Sequence, residues 1–403
     1  MNILFLSLLD FDNLNQSNIY TDLLKKFIEH GHNVSIVSPT EKRNKKQTHI
    51  IELDSQSRIL KVKIGNIQKT NILEKGVSTV LIEQQYIKAI KKYFSTLKFD
   101  LVVYATPPVT FEKVISFVKK RDGAFSYLLL KDIFPQNAVD LGKLSKNGLI
   151  YNFFRKKEVN LYKLSDRIGA MSKGNADYLL KHNTFLDSRK IEVNPNSIEI
   201  KKENKISLTP EETDELKEKL SIPLNKTLFL YGGNLGIPQG LDFFLDVLTN
   251  ARSIDNIYFL IIGAGTQFHK IDTFIKKNEL TNVQLLKTLP KEDYEKIEKI
   301  VDVGLVFLDH RFTIPNIPSR ILGYMKEKKA ILAATDIHTD LKDIITEGQL
   351  GLWCESGDLM TFLNHVETLN NQELRKNMGE NGFNYLEHNY DVLSTYKKIV
   401  SHI

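Results

Sequence analysis

Cysteine is almost absent from this sequence, and that scarcity excludes several kinds of protein. The 403 residues contain one cysteine, Cys354, so the chain forms no internal disulfide and offers no cysteine-built metal site. No apolar run reaches about 18 residues, so no transmembrane helix is predicted. Residues 1–11 have a short apolar run but no basic region and no small-residue cleavage site, which favours a buried strand over a signal peptide. We therefore expect a protein of the reducing cytoplasm.

Several common catalytic and cofactor-binding patterns are also missing. The ten histidines show no metal-ligand spacing, and neither a Ser-His-Asp order nor a nucleophile elbow can be assigned. Gly263 and Gly265 begin a dinucleotide-binding fingerprint, but Phe268 stands where its third glycine would be. We interpret this motif as a tight strand-to-helix turn. A metal site is not predicted, and a nicotinamide-dependent dehydrogenase is disfavoured.

In the first half of the chain, basic residues outnumber acidic residues. Residues 1–200 contain 31 Lys and Arg against 20 Asp and Glu, a net charge of +11, whereas residues 201–403 contain 24 against 29, a net charge of −5. The main basic clusters are residues 42–46, 119–121 and 155–157. Either the first half faces an anionic partner, such as a membrane leaflet or a lipid diphosphate, or its surface is uneven without a target. Nucleic acid is disfavoured because no aromatic stacking residues interleave the clusters.

Apolar strands alternate with amphipathic helices along the chain, which predicts an α/β fold with parallel sheets and helices on both faces. A chain of 403 residues is long enough for two domains. The charged stretch 201–225, which includes a helix opened by Thr209 and Pro210, marks the boundary. We predict two Rossmann-like, doubly wound domains, residues 1–200 and 201–385, followed by a C-terminal helical segment, residues 386–403.

The predicted strands and helices locate the expected ligand site. Ligands of such sheets bind beyond the carboxyl ends of the strands, where the strand order reverses, so the loops after the strands are the candidate site. The predicted strands are residues 2–9, 33–39, 100–108, 125–135, 190–200, 227–233, 257–265, 283–289, 301–308 and 330–336. The predicted helices are residues 20–30, 84–97, 111–121, 239–251, 267–279, 291–299, 318–328 and 372–403, the last with a break at residues 389–391.

A glycine-rich loop follows the first strand of the second domain. Gly233 ends that predicted strand, and Asn234 and Gly236 lie between it and the next helix. Glycines there let the backbone approach a ligand closely, and free N–H groups can hold a diphosphate. A plain tight turn is the alternative interpretation.

A second phosphate-binding candidate follows the fourth strand of the same domain. Asn316 is a good N-cap, and Pro318 fits the first turn of a helix, where its missing N–H costs nothing. The helix start would present backbone N–H groups near Ser319 and Arg320, and the planar guanidinium suits phosphate oxygens. The alternative is a surface arginine at a helix start.

Lys131 and Asp132 directly follow an apolar strand of the first domain, where a charged pair is usually placed at the ligand site. A carboxylate there could position or deprotonate an acceptor hydroxyl, and a lysine could stabilise departing phosphate charge. Alternatively, Asp132 only caps the following turn.

Several stretches together resemble family 4 glycosyltransferases of the GT-B fold, along the whole chain. In the second half these are LYGGNLGIPQGLDFFLDVL, FLIIGAGTQ, VQLLKTLPKEDYEKI, VDVGLVFL and TIPNIPSRILGYMKEKKAILAATD. In the first half they are ATPP, KDIFPQNAVDLG, AMSKGNADYLL and VNPNSIEI. Within the family, the chain is most similar to the bacterial branch that builds capsule and O-antigen units, including N-acetyl-L-fucosaminyl transferases.

The resemblance implies two Rossmann-like domains that face a central cleft, with the C-terminal helix, residues 386–403, returning to the first domain. It also implies metal-independent hexosyl transfer with retention. The donor would be a UDP-sugar, with N-acetyl-L-fucosamine as one candidate sugar, and no separate cofactor is implied. The acceptor would be an undecaprenyl-diphosphate-linked sugar, which places the protein in the cytoplasm on the inner membrane surface. Lys131 stands where many relatives carry a histidine near the reacting centre. The implied donor-binding residues are Gly233, Asn234, Gly236, Thr288, Leu289, Ser319 and Arg320.

Two departures from the family pattern leave alternatives open. A pair of glutamates common in relatives falls on Pro315 and Gly323, so the ribose and donor-sugar contacts must come from elsewhere. An arginine and a lysine common after the first strand of the second domain fall on Asn234 and Gln239, which leaves more of the phosphate charge to Arg320. A GT-B sugar-nucleotide epimerase and a non-catalytic GT-B subunit that assists a partner transferase are the alternative functions.

Overall fold

The computed structural model describes residues 1–67, 70, 72–200 and 208–403, so residues 201–207 of the predicted boundary stretch lie outside the described residues. The chain divides into two compact units. Unit 1 comprises Met1–Glu199 and Val392–Ile403, and unit 2 comprises Ile200–Asp391. Each unit contains a largely parallel sheet with helices, so the predicted α/β fold with two Rossmann-like domains is confirmed.

Unit 1 is built on an eight-stranded sheet of order β3-β4-β2-β1-β5-β6-β7-β8, in which β3 and β4 pair antiparallel and the other neighbours pair in parallel. Its strands are β1 Asn2–Leu6, β2 Asn33–Glu41, β3 His49–Glu52, β4 Ser57–Ile64, β5 Leu101–Thr106, β6 Phe125–Leu130, β7 Arg167–Ala170 and β8 Ile191–Val193. Its first helices are α1 Thr21–Glu29, α2 Ile72–Tyr93, α3 Glu112–Asp122, α4 Gln136–Asp140, α5 Leu149–Leu164 and α6 Lys173–His182.

Unit 2 is built on a six-stranded, all-parallel sheet of order β11-β10-β9-β12-β13-β14. Its strands are β9 Thr227–Asn234, β10 Ile257–Ala264, β11 Val283–Leu286, β12 Val303–Phe307, β13 Ala330–Thr335 and β14 Gly351–Glu355. Its helices are α7 Pro210–Lys219, α8 Leu241–Asn250, α9 Phe268–Lys277, α10 Lys291–Ile300, α11 Arg320–Lys326, α12 Leu341–Gly348, α13 Leu359–Thr368 and α14 Gln372–Asn389.

The central strands owe their uniform apolar sequences to burial on both faces. Every residue of β12 and β13 is buried, as expected for parallel strands that helices cover on each side. Phe307 packs between Phe244 of α8 and Phe362 of α13, with ring centroids 4.5 Å and 5.3 Å away. This rigid core fixes where each strand ends, and therefore where the following loop begins.

Helix starts were predicted with mixed success. The α7 start is confirmed: Thr209 and Glu212 form a reciprocal capping box, with Pro210 in the first turn. The prediction for α11 was wrong, because this seven-residue helix begins at Arg320 and Asn316 does not cap it. The backbone N–H of Asn316 instead donates to Thr339 Oγ1 (2.9 Å), which holds the segment before α11 in a loop.

The last helix, α15 Val392–Val400, belongs to unit 1. Its Tyr396 ring stacks on His30 of α1 with ring centroids 4.2 Å apart, and its Thr395 hydroxyl lies 2.7 Å from that of Ser197. The predicted boundary at residue 386 falls inside α14, which continues to Asn389, so the segment that joins unit 1 begins at Val392. Within the described residues, no helix has the length and apolarity needed to cross a membrane.

Candidate functional site

The strand order of unit 2 reverses between β9 and β12. From β9 the chain proceeds outward to β10 and β11, and then crosses back to continue through β12, β13 and β14. The loops after β9 and β12 therefore leave the sheet side by side at its carboxyl end, the usual ligand position in such sheets. They contain two sets of predicted residues, the glycine-rich loop and the segment before Arg320.

Arg320 is held in one orientation at this point. Its guanidinium carbon lies 4.5 Å from the centroid of the Tyr231 ring, and Nη2 donates to Oε1 of Gln239 (2.6 Å). Nη1 is buried and has no hydrogen-bonding partner in the described part of the chain. A fixed guanidinium with an unused donor beside an exposed glycine loop is suited to an anionic oxygen ligand.

The glycine-rich stretch begins at the end of β9, whose last two residues are Gly233 and Asn234. Gly233 is exposed and has a φ of +123°, a backbone conformation that L side chains rarely adopt. A Cβ at Gly233 would lie 3.8 Å from the Arg320 guanidinium, so the structure brings these two predicted residues together. Asn234 is also exposed, whereas Gly236 is buried and lies against the Asn234 side chain.

Gly263 of β10 and Gly265, which directly follows β10, have a different role. A Cβ at Gly263 would overlap the carbonyl oxygen of Gly233, and one at Gly265 would overlap that of Leu235. Both glycines therefore let β10 and its loop pack directly against the loop after β9. Their role in packing agrees with the interpretation of this motif as a tight structural turn.

The loop after β12 is tied to the loop after β9. The backbone N–H of Asp309 donates to the carbonyl of Pro238 (3.1 Å). Arg311 donates from Nε and Nη2 to the two carboxylate oxygens of Asp309, at 2.8 Å and 2.7 Å, and this pairing holds the pKa of Asp309 below its usual range. Asp309 and Arg311 therefore neutralise each other, and Arg320 is the guanidinium left to face the glycine loop.

Sequence reasoning missed a tyrosine and carboxylate cluster below Arg320. Tyr324 donates to the carbonyl of Leu230 (3.1 Å), and a Cβ at Gly232 would overlap the Tyr294 hydroxyl. Tyr294 and Glu298 lie one turn apart on α10, and burial raises the pKa of Glu298 to about 7.

Glu298 places a carboxylate where α11 has no side chain. A Cβ at Gly323 would lie 2.7 Å from Glu298 Oε1. The Glu298 carboxylate of α10 therefore occupies the space that a side chain at Gly323 of α11 would need. The i, i+4 spacing of Tyr294 and Glu298 was a weak sequence signal, because nothing in it shows that α10 packs beside α11.

The remaining predicted donor residues are less closely associated with the cluster. Thr288 and Leu289 follow β11, which is two strands from β9, so roughly 10 Å separates them from the glycine loop by strand spacing. Thr288 is exposed and Leu289 is half-buried. Ser319 is exposed, precedes α11 and makes no side-chain cap.

In unit 1 the strand order reverses between β1 and β5, and Lys131 and Asp132 follow β6, the neighbour of β5. The backbone N–H of Lys131 donates to Thr106 Oγ1 (3.2 Å), which donates to the carbonyl of Asp132 (3.0 Å). Asn137 Nδ2 donates to Asp132 Oδ2 (2.6 Å), while Asp132 Oδ1 is buried and has no partner among the described residues.

Burial disfavours the charged forms of both Lys131 and Asp132. It raises the pKa of Asp132 to about 6 and lowers the pKa of Lys131 to about 7. Asp132 does not cap α4, whose first turn follows Pro135 without a side-chain cap. Two neighbouring groups that titrate near neutral pH are typical of sites that transfer protons or stabilise charge. Among the described residues no cluster of His, Cys, Asp or Glu is arranged to hold a metal ion.

The sequence of this chain is similar to sequences of known glycosyltransferases. Residues 212–385 match the family model described as "Glycosyl transferases group 1". The probable glycosyltransferase WbjE of Pseudomonas aeruginosa is 22% identical over 341 residues, which cover 84% of this chain and 82% of that protein.

Solved structures share the fold along the whole chain. Sucrose-phosphate synthase from Thermosynechococcus elongatus has a TM-score of 0.77 and 12% identity, covering 99% of this chain and 97% of that one. Anabaena HepE in complex with UDP and glucose has a TM-score of 0.73 and 14% identity, covering 100% and 99%. The fold is that of the GT-B glycosyltransferases. Within this fold, residues 212–385 of unit 2 carry the match to the group 1 glycosyltransferase model.

Proposed function

We propose that the protein transfers a sugar from a UDP-sugar to a lipid-linked saccharide in the synthesis of a bacterial surface polysaccharide. The observation that carries the proposal is the Arg320 guanidinium, fixed by Tyr231 and Gln239 beside Gly233 with Nη1 unpartnered. Such a group can meet diphosphate oxygens without first breaking an ion pair. The solved HepE structure is a complex with UDP and glucose, which supports UDP as the nucleotide to test first.

The proposed donor site lies in unit 2, which therefore acts as the donor domain, and unit 1 acts as the acceptor domain. Gly233, Asn234 and Gly236 would offer backbone to the diphosphate, and Ser319 would assist Arg320. Thr288 and Leu289 would offer backbone to the base. The reaction would require no metal or cofactor besides the UDP-sugar.

The proposed sugar, acceptor, stereochemistry and membrane position follow from the sequence resemblance. N-acetyl-L-fucosamine is the first candidate sugar, and an undecaprenyl-diphosphate-linked sugar of capsule or O-antigen synthesis is the first candidate acceptor. A hexosyl transfer with retention and a peripheral position on the inner membrane surface belong to the same proposal. The name of the similar Pseudomonas protein states glycosyl transfer and is in keeping with this class of reaction.

The arginine assignment is tested by UDP binding. Arg320→Ala should weaken UDP binding roughly ten- to a hundredfold, since a hydrogen bond to a charged group contributes about 1.5–3 kcal/mol. Isothermal titration calorimetry would measure the dissociation constant. Arg252→Ala is the matched control, because Arg252 is an exposed arginine of the same unit. Equal UDP affinity in wild type and Arg320→Ala would refute the assignment.

We further assign the ribose contact to Glu298, whose two carboxylate oxygens can accept from adjacent hydroxyls. Glu298→Gln should then reduce the preference for UDP over its 2′,3′-dideoxy analogue by about tenfold. The measurement is the ratio of the two dissociation constants. A ratio unchanged from wild type would show that Glu298 only packs against Gly323.

Transfer itself is tested by product analysis with the UDP-sugar and membrane lipids. A glycosylated lipid and released UDP are expected. If the UDP-sugar were instead converted to its stereoisomer without acceptor, the protein would be an epimerase. Binding of UDP without any turnover would indicate a non-catalytic subunit.

A further inference from the structure

A second cavity lies at the edge of the unit 2 sheet. It has a volume of about 500 Å³ and is here called the β14 pocket. β14 is three strands from β9, so roughly 14 Å separates the pocket from the glycine-rich stretch by strand spacing. The volume falls within the range of roughly 300–1,000 Å³ that is usual for small-molecule sites. The pocket is therefore large enough for a ligand and distinct from the proposed donor site.

Two helices form the walls of the β14 pocket. Four lining residues follow the spacing i, i+3, i+4, i+7 from Lys342 of α12, and four more follow the same spacing from Leu374 of α14. One face of each helix therefore lines the pocket. Asn381 Nδ2 of α14 donates to the carbonyl of Gln349, which directly follows α12 (3.1 Å). This hydrogen bond ties the two walls together.

Trp353 of β14 provides a fixed aromatic ring in the pocket. Its indole N–H donates to Thr335 Oγ1 (2.9 Å), and its backbone carbonyl accepts from His365 Nε2 (3.1 Å). The Lys342 ammonium lies 4.9 Å from the ring centroid. Because Lys342 is exposed, this cation–π contact is weak and a ligand can displace it. The half-buried ring is therefore a preorganised surface for stacking.

The free edge of β14 adds backbone hydrogen-bonding groups. The N–H of Ile331 donates to the carbonyl of Leu350 (3.1 Å), so the even-numbered residues of this segment pair with β13. In a parallel strand the alternate residues, Gly351 and Trp353, direct their N–H and C=O groups away from that neighbour. Since His365 already donates to the Trp353 carbonyl, a further strand could not form a continuous ladder. The edge is therefore suited to a small ligand rather than to an extended peptide.

The polar side chains of the pocket indicate the class of ligand. Gln349, Asn377 and Asn381 carry amides that both donate and accept, and Thr346 adds a hydroxyl. Among the described residues that line the pocket there is no carboxylate, and Lys342 is the one permanent charge. Amides match sugar hydroxyls, which also both donate and accept, and a flat indole ring matches the apolar C–H face of a pyranose. A saccharide is the ligand class that has both features.

We propose that the β14 pocket is a second saccharide-binding site, separate from the donor site. A pyranose ring stacks on Trp353, and its hydroxyls bond to the side chains of Gln349 and Asn377. In a protein that extends saccharides, such a site retains the chain between transfers. That role rests on the proposed function, whereas the binding itself follows from the residues of the pocket.

Tryptophan fluorescence tests the binding directly. Trp353 is the only tryptophan among the 403 residues, so its emission reports on this pocket. Titration of the full chain with maltotriose and with N,N′-diacetylchitobiose should give a saturable change in emission with at least one of them. Sorbitol, an open-chain polyol without a ring face, is the matched control and should give no saturable change.

Two variants distinguish a saccharide from an anionic ligand. Asn377→Ala should weaken saccharide binding about three- to tenfold, because it removes a hydrogen-bonding amide. Asn384→Ala is the matched control, since Asn384 is an exposed asparagine of the same helix outside the pocket lining. Lys342→Ala should leave saccharide affinity unchanged or raise it, because the ammonium no longer covers the ring. Circular dichroism would confirm that the variants fold.

The outcomes separate this proposal from the donor site. No saturable change with either saccharide would overturn it, as would an equal response to sorbitol or undiminished binding by Asn377→Ala. Saturation by UMP or inorganic phosphate that Lys342→Ala abolishes would show an anion site instead. UDP affinity, measured by calorimetry, should be equal in wild type and Asn377→Ala, and Arg320→Ala should keep the saccharide response. Either proposal can therefore fail while the other stands.

Discussion

Both units present ionisable side chains at the carboxyl edge of their sheets. Unit 2 preserves the charge of its arginine, whereas unit 1 disfavours the charges of its lysine and aspartate. In unit 2, Arg320 is stacked on Tyr231 and hydrogen-bonded to Gln239, so it keeps its charge at any physiological pH. In unit 1, burial without a counter-charge moves Lys131 and Asp132 towards neutrality. This difference supports the proposal that unit 2 binds the diphosphate and that Lys131 and Asp132 of unit 1 act in proton transfer.

The largest expected effect comes from removing the unit 1 carboxylate. Asp132→Asn should reduce turnover by roughly 10²–10⁴-fold, the usual contribution of a general base, and leave UDP affinity unchanged. Steady-state kinetics and calorimetry would measure the two quantities. Asp177→Asn, at an exposed carboxylate of the same unit, is the control.

Stability should change in the opposite direction. Because the folded-state pKa of Asp132 is raised, its ionisation disfavours folding, and that cost develops as pH rises from about 4 to about 6. Asp132→Asn should therefore be no less stable than wild type at pH 7, as measured by urea unfolding. Loss of both turnover and stability would indicate a structural role for Asp132.

The pH profile is the next test. The carboxylate form of Asp132 is lost as pH falls through about 6, and the charged form of Lys131 is lost as pH rises through about 7. Turnover should therefore follow a narrow bell, falling about tenfold per pH unit on each side. UDP affinity, which depends on Arg320, should vary much less.

The variant Lys131→Arg tests whether Lys131 causes the alkaline limb of the pH profile. Arginine keeps its charge above pH 7, so the alkaline limb of the bell should disappear while the acid limb remains. An alkaline limb unchanged by Lys131→Arg would contradict the assignment of that limb to Lys131.

The smallest expected effect concerns the scaffold of the unit 2 site. Gly263→Ala should destabilise the protein by about 1–3 kcal/mol, because its Cβ would overlap the Gly233 carbonyl and push β10 away from β9. Urea unfolding would measure the change. Gly76→Ala is the control, since a Cβ there meets nothing within 4 Å in the described structure, and alanine should stabilise α2 slightly. Equal effects would show that the β9 and β10 loops are not tightly packed.

Local signals predicted much of the fold. Long apolar runs predicted the central strands of both sheets, because a strand buried on both faces must be apolar throughout. Thr209, Pro210 and Glu212 predicted the start of α7, since a capping box acts within one turn. Local signals missed four strands, five helices and the first three turns of α2, which the packing of the rest of each unit stabilises. The missed strands are β3, β4, β7 and β14, and the missed helices are α4, α5, α6, α12 and α13.

By itself, the sequence determined the fold class, the strand-end positions of Lys131, Asp132, Gly233 and Arg320, and the resemblance to a glycosyltransferase family. These features depend on residues adjacent in the chain. Only the tertiary structure decided that Tyr231 and Gln239 fix Arg320, and that Glu298 fills the space beside Gly323. Those contacts join helices and strands that are distant in sequence, and the order of strands in the sheet sets their distances.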